Sequence, residues 1–139
     1  MKKQPHLDTY TTVYSVDIVV ANEYVTIEQL RELFTYSDGE ELRDSILDKD
    51  RFLSTTVGFL KRKSDNKPVL LVAYLRDTNV KTDIKADRVN TIAHESAHAA
   101  MDIFDYIGAT ISSYTTDQEA FAHLIGYIAE CIYKTINKK

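Results

Sequence analysis

The sequence predicts an α+β fold of minimal size, a small and mostly antiparallel sheet packed on two long C-terminal helices. Three observations predict it. The chain has 139 residues, the size of one compact domain, so residues 1–139 are read as a single unit. Its first half carries runs rich in β-branched residues and tyrosine that alternate or stay apolar over strand lengths. Its second half, from Ala86 to about Tyr106 and again from about Asp117 to Ile136, repeats apolar residues at helical intervals without a proline.

Taken in order, Thr9 to Val20 alternates Val13, Ser15, Asp17 and Val19 against Tyr14, Val16, Ile18 and Val20, which predicts one strand. Thr26 precedes Ile27, Leu30, Leu33 and Phe34, whose spacing of three and four predicts an amphipathic helix that ends before Ser37-Asp38-Gly39. A short second helix is expected within Glu40 to Leu47. Phe52 to Leu60 and Val69 to Leu75 read as two strands joined by a charged turn over Lys63 to Pro68. The second is apolar throughout, so it is either buried on both faces or an edge strand whose free backbone pairs with something else. In the long helix that follows, Val89, Ile92, Ala93, Ala97, Ala100, Ile103 and Phe104 form the apolar stripe, and Gly108 ends it. Ala109 to Thr116 reads as a loop or short strand, and Phe121, Leu124, Ile125, Ile128 and Ile132 form the core face of the last helix.

Composition excludes several function classes. A net charge of −4 argues against binding nucleic acid through broad phosphate neutralisation. The local basic run Lys61-Arg62-Lys63 reads as a solvated hairpin tip. No stretch reaches the roughly 20 apolar residues that span a bilayer, and the basic start of the chain has no apolar run or cleavage site of a signal peptide. One cysteine, Cys131, allows no internal disulfide and no Cys-rich zinc site. A cytoplasmic protein is expected. Cys131, among Ile128, Ala129 and Ile132, reads as a small buried hydrophobe, so any metal must use histidine and carboxylate.

The chemistry-bearing pattern is His94-Glu95-Ser96-Ala97-His98, set inside the long helix. Residues four apart on a helix differ by about 40° and rise about 6 Å, so both imidazoles lean toward one point where a single cation binds. Glu95 is too close in sequence to be a third ligand from the same helix with good geometry, but it can reach a metal-bound water and take its proton. His94, His98, Asp87, Asp102 and Asp105 fall on the helix face away from Val89, Ile92, Ala100 and Ile103. Glu119, 21 residues after His98, is the candidate third donor, leaving a fourth tetrahedral position for water. Thr116-Asp117-Gln118-Glu119 also matches a capping box, which gives Glu119 a purely structural use. His123, one turn beyond Glu119, is an alternative ligand or an outer partner that orients one.

With H-E-x-x-H at His94, Glu95 and His98 and a glutamate on a later helix at Glu119, the chain resembles the gluzincin zinc metallopeptidases. The run Asp117 to Ile128 is similar to that of small single-domain peptidases of phages and bacteria. The E-x-x-A step from Glu119 to Ala122 also resembles that of regulatory peptidases that cleave repressors. The likeness covers roughly Asp83 to Ile132, about a third of the chain. It implies a minimal zincin-like domain with an active-site helix and a C-terminal glutamate helix, and one zinc held by His94, His98 and Glu119. It also implies peptide-bond hydrolysis by a zinc-bound water that Glu95 activates, a protein or peptide substrate, and a setting in the cytoplasm of a bacterium or phage-infected host. Where thermolysin-like enzymes carry an aspartate four residues after the ligating glutamate, this chain has His123, which accepts a hydrogen bond only when neutral. Tyr106, Tyr114 and Tyr127 are candidates for stabilising an oxyanion. The alternatives are a catalytically silent zinc-fold protein that binds or regulates, and a helical interaction protein without metal.

Overall fold

The computed structural model describes residues 4–48, 54–75, 84–110 and 116–138. Its elements run β1 (Leu7–Tyr10), β2 (Asp17–Ala21), α1 (Ile27–Leu33), β3 (Phe34–Thr35), a 3₁₀ turn (Asp44–Leu47), β4 (Ser54–Arg62), β5 (Pro68–Tyr74), α2 (Ile84–Ile107) and α3 (Thr116–Ile136). The sheet order is β1-β2-β5-β4-β3. Among the described residues only β2 and β5 pair in parallel, Asp17 opposite Val69 through Ala21 opposite Ala73, and the other three pairings are antiparallel.

The single strand expected over Thr9 to Val20 is two strands, β1 and β2, folded back on each other with Tyr10 opposite Ile18. The alternation is broken because Ser15 takes a left-handed conformation at φ 61°. Thr12 fixes the connection locally: its hydroxyl donates to the Val16 carbonyl at 2.7 Å and accepts the Tyr14 amide at 3.2 Å. Downstream, α1 begins at a reciprocal cap, Thr26 Oγ1 accepting from the Gln29 amide and Gln29 Oε1 from the Thr26 amide. It stops at Leu33, and the expected helix over Glu40 to Leu47 is reduced to the 3₁₀ turn.

β5 sits in the middle of the sheet, so Val69 to Leu75 is the doubly buried strand and not an edge. Alternate side chains supply two cores. Leu70, Val72 and Tyr74 join Ile18 and Val20 beneath α2 and α3, while Val69, Leu71 and Ala73 join Val19, Leu30, Phe34 and Leu42 on the α1 side. β4 carries a bulge between Val57 and Leu60, with Phe59 left-handed at φ 46°. The extra residue lets both Val57 and Leu60 face the α1 side although they are three apart. The turn after β4 is a basic tip only in name: Arg62 is bound by Asp17 at 2.9 Å and Asp65 at 2.8 Å, and its guanidinium holds the Asp65 carboxyl down to about 2.

α2 and α3 pack against each other and run antiparallel, since Arg88 near the start of α2 donates to Asn137 at the end of α3, and Phe104 stacks edge-on against Phe121. Gly108, at φ 73°, terminates α2 in the conformation glycine adopts without strain. Val89, assigned to the apolar stripe, is instead 69% exposed, and Ala93 of the same stripe is exposed as well, while Ile92 is buried. Phe52, Tyr114 and the Ser/Thr-rich run after Thr110 lie outside the described residues. Among the described residues no helix is long and apolar enough to cross a membrane.

Candidate metal centre

His94, Glu95 and His98 stand on α2 as the helical spacing predicts, with the two imidazoles exposed and Glu95 buried to 4% exposure. The rings meet edge to face, and the two Nε2 atoms are 3.1 Å apart. Two imidazole nitrogens bound to one tetrahedral zinc at about 2.0–2.1 Å are separated by roughly 3.3 Å. The observed separation therefore suits one shared proton and equally one shared cation. The donor set is neutral nitrogen, which fits zinc and excludes a hard oxygen-seeking ion such as calcium.

Glu95 faces the sheet. One carboxylate oxygen accepts from Ser54 Oγ at 2.9 Å and the other accepts a short hydrogen bond from Thr56 Oγ1, both hydroxyls coming from β4. Its Oε1 lies 3.9 Å from His94 Nε2. The carboxylate is thus held from a second element, beside the pair of imidazoles and within reach of a group bound there. Ser54 and Thr56 were not singled out in the sequence. The signal for them is the spacing Ser54, Thr56, Gly58: small or hydroxyl-bearing residues at every second position, on the strand face that a helix covers closely. Ser96, the neighbour of Glu95, is fully buried and returns its hydroxyl to the Ile92 carbonyl at 2.6 Å. Asp102, one turn beyond His98, lies over the β4 bulge, where a Cβ on Gly58 would stand 3.7 Å from its Oδ2. Burial there lifts its carboxyl above the ordinary range, and His98 opposes the shift.

The residues proposed on α3 are placed differently. Glu119 Oε1 is 3.3 Å from His123 Nε2, an i,i+4 pair in which both side chains are more than three-quarters exposed. α3 begins at Thr116, so Glu119 lies in its first turn. The contacts of Arg88 with Asn137 and of Phe104 with Phe121 fix the helix register, and they set Glu119 about two turns, roughly 12 Å, along the axis from His98. Among the described residues no three metal-binding side chains converge. Two separate pairs result, His94 with His98 and Glu119 with His123.

Of the tyrosines, Tyr127 donates its hydroxyl to the Thr11 carbonyl at 2.6 Å, and Tyr106 stacks on Phe59 at 4.6 Å between centroids. Cys131 is 2% exposed and burial pushes its thiol up, which leaves it unreactive. Comparison of the chain with protein-family models, with curated proteins and with solved structures gives no match.

Proposed function

We propose that the chain is a zinc metallopeptidase of the gluzincin type, and the observation that carries this reading is the 3.1 Å approach of His94 Nε2 and His98 Nε2 beside the buried Glu95 carboxylate. His94 and His98 would hold the ion. Glu119 is assigned as the third donor on its spacing from His98, with His123 as the alternative. Zinc, when bound, supplies a Lewis acid that polarises a carbonyl and makes water more acidic. Glu95 takes the proton of the attacking water and returns it to the departing amine, the work of a carboxylate fixed beside the reacting group. Ser54 and Thr56 keep that carboxylate from rotating away.

β4 also offers a place for an extended peptide. On its outer side β3 pairs only with Lys61 and Arg62, so no described strand pairs with that side of Ser54 to Val57. A substrate strand added there gains main-chain hydrogen bonds next to Glu95. β5, the run that the sequence leaves open as an edge strand, has both edges paired.

The second reading is a catalytically silent zinc-binding protein, favoured by the distance of Glu119 from the histidine pair. Glu95→Gln separates the two. In a peptidase this variant keeps zinc and its melting temperature near wild type and loses cleavage of casein or a peptide library, since the amide cannot take the proton. Equal cleavage by variant and wild type, or none by either at full zinc loading, removes the peptidase reading.

A further inference from the structure

We propose that the cavity between the β1–β2 connection and α3 is a recognition pocket for one bulky, uncharged apolar side chain of a bound peptide, aromatic in preference. The identity of the occupant rests on the peptidase reading; the existence of the pocket does not. The cavity measures about 410 Å³ and is walled by the segment Thr11 to Tyr14 on one side and by Ala120, His123, Leu124 and Tyr127 on the other. A cavity of about 150 Å³ lined by apolar side chains accepts a benzene ring, so this one takes an aromatic side chain with space for part of its backbone.

The wall is built before any ligand arrives. Tyr127 ties α3 to the Thr11 carbonyl, Thr12 braces its own loop through Val16 and Tyr14, and Tyr14 packs edge-on against Phe104 at 5.8 Å. Such a site charges a ligand little ordering entropy. Among the described residues no Asp, Glu, Lys or Arg lines it, and the Tyr127 and Thr12 hydroxyls are already committed as donors. A charged side chain would therefore lose its hydration and find only His123 as an ionisable neighbour, an imidazole already turned to Glu119. Val13, at the rim, is a β-branched apolar residue left 91% exposed, surface that an apolar occupant covers with gain. Position adds the link to catalysis: His123 in the wall engages Glu119, so the pocket lies one helical turn from the assigned third donor.

The test is an NMR titration of the full chain with N-acetyl-L-phenylalaninamide and, as control, N-acetylglycinamide, each with zinc and after chelation. The phenylalaninamide is expected to shift the Val13, Ala120 and Leu124 methyl signals and to bind at least about tenfold more tightly than the glycinamide, the worth of burying one aromatic side chain. Ala120→Phe, which fills the cavity, and Val13→Asp, which charges its rim without touching the core, each lower that binding about tenfold or more. No saturable shift, or binding that both variants leave intact, overturns the pocket. Docking of the amide to a chain that takes up no zinc supports the pocket while defeating the metal reading; zinc uptake without docking does the reverse.

Discussion

Two histidine-carboxylate pairs among the described residues, one on α2 and one on α3, are chemically alike and mechanically different. On α2 the carboxylate of Glu95 is buried and held by two hydroxyls from β4, while its histidine neighbours stand in solvent. On α3 the carboxylate of Glu119 has a described partner only on its own helix, and both members of the pair are exposed. A side chain fixed from another element keeps one geometry because the fold itself opposes its rotation. An i,i+4 pair on an open helix face is worth only a few tenths of a kcal/mol and changes rotamer easily. The contrast assigns fixed chemistry to α2 and an adjustable contribution to α3, and it yields predictions on each side.

The largest effect belongs to the fixed side. Replacing both His94 and His98 by alanine removes the only two nitrogen donors that converge among the described residues, and zinc binding should be abolished. Native mass spectrometry reads about one zinc per wild-type chain and none in the double variant. Equal zinc in both would place the metal elsewhere and end the comparison.

Next comes the adjustable side. If Glu119 reaches the ion, Glu119→Ala weakens zinc by more than about 100-fold, while His123→Ala, acting through Glu119, costs about 10- to 100-fold. Competitive titration of the two variants ranks them. A larger loss from His123→Ala makes the histidine the third ligand, an outcome its position nearer the level of His98 favours. Loss from neither confines the centre to α2.

Third in size is the clamp. Thr56→Val keeps the volume of the side chain but leaves one oxygen of a buried carboxylate without its donor, which costs about 1–3 kcal/mol. The melting temperature should fall by about 3 °C or more. Thr56→Ser, which keeps the hydroxyl, loses less. Equal melting of the valine and serine variants would mean the hydroxyl does not hold Glu95.

The half of the site that the sequence made legible is the half governed by one helix. The fixed rise and turn of α2 convert His94-Glu95-Ser96-Ala97-His98 into two converging imidazoles without any knowledge of the rest of the chain. Ser54 and Thr56 stayed hidden because their role depends on which sheet face α2 covers, a tertiary fact. The same reason explains the strands. Apolarity along Val69 to Leu75 speaks for burial, but only the pairing of β2 with β5 decides that the strand is central. Alternation across Thr9 to Val20 continues through a turn that Ser15 and Thr12 make, because a short polar loop can carry the same period as the strands it joins. The assignment of Glu119 rests on spacing alone, and spacing carries no information about the register of one helix against another.

The smallest effect concerns the C-terminal end of α3, which is anchored to β1. Asp8 of β1 accepts from the Lys138 ammonium at 2.8 Å and from the fully buried Thr135 hydroxyl at 2.9 Å, and the same hydroxyl meets Tyr10 Oη at 2.7 Å. Burial alone would raise the Asp8 carboxyl, but the bonds from Lys138 and Thr135 outweigh it and hold the group below its usual value of 3.8. A carboxyl with a lowered folded-state pKa contributes stability that is complete above the unfolded value and lost as pH falls through the folded one. Because the Lys138 ammonium is half exposed and Asp8 is only partly buried, the contribution is reduced by solvent screening. Asp8→Asn should therefore melt slightly below wild type at pH 7, and the gap should shrink as the pH is taken below 3.8 and the wild-type carboxyl gains its own proton. Paired melting curves at several pH values measure it. A gap of constant size would assign the polar anchor to the neutral Thr135 and Tyr10 hydrogen bonds and not to charge, beside the burial of Ile132 and Ile136 at that end.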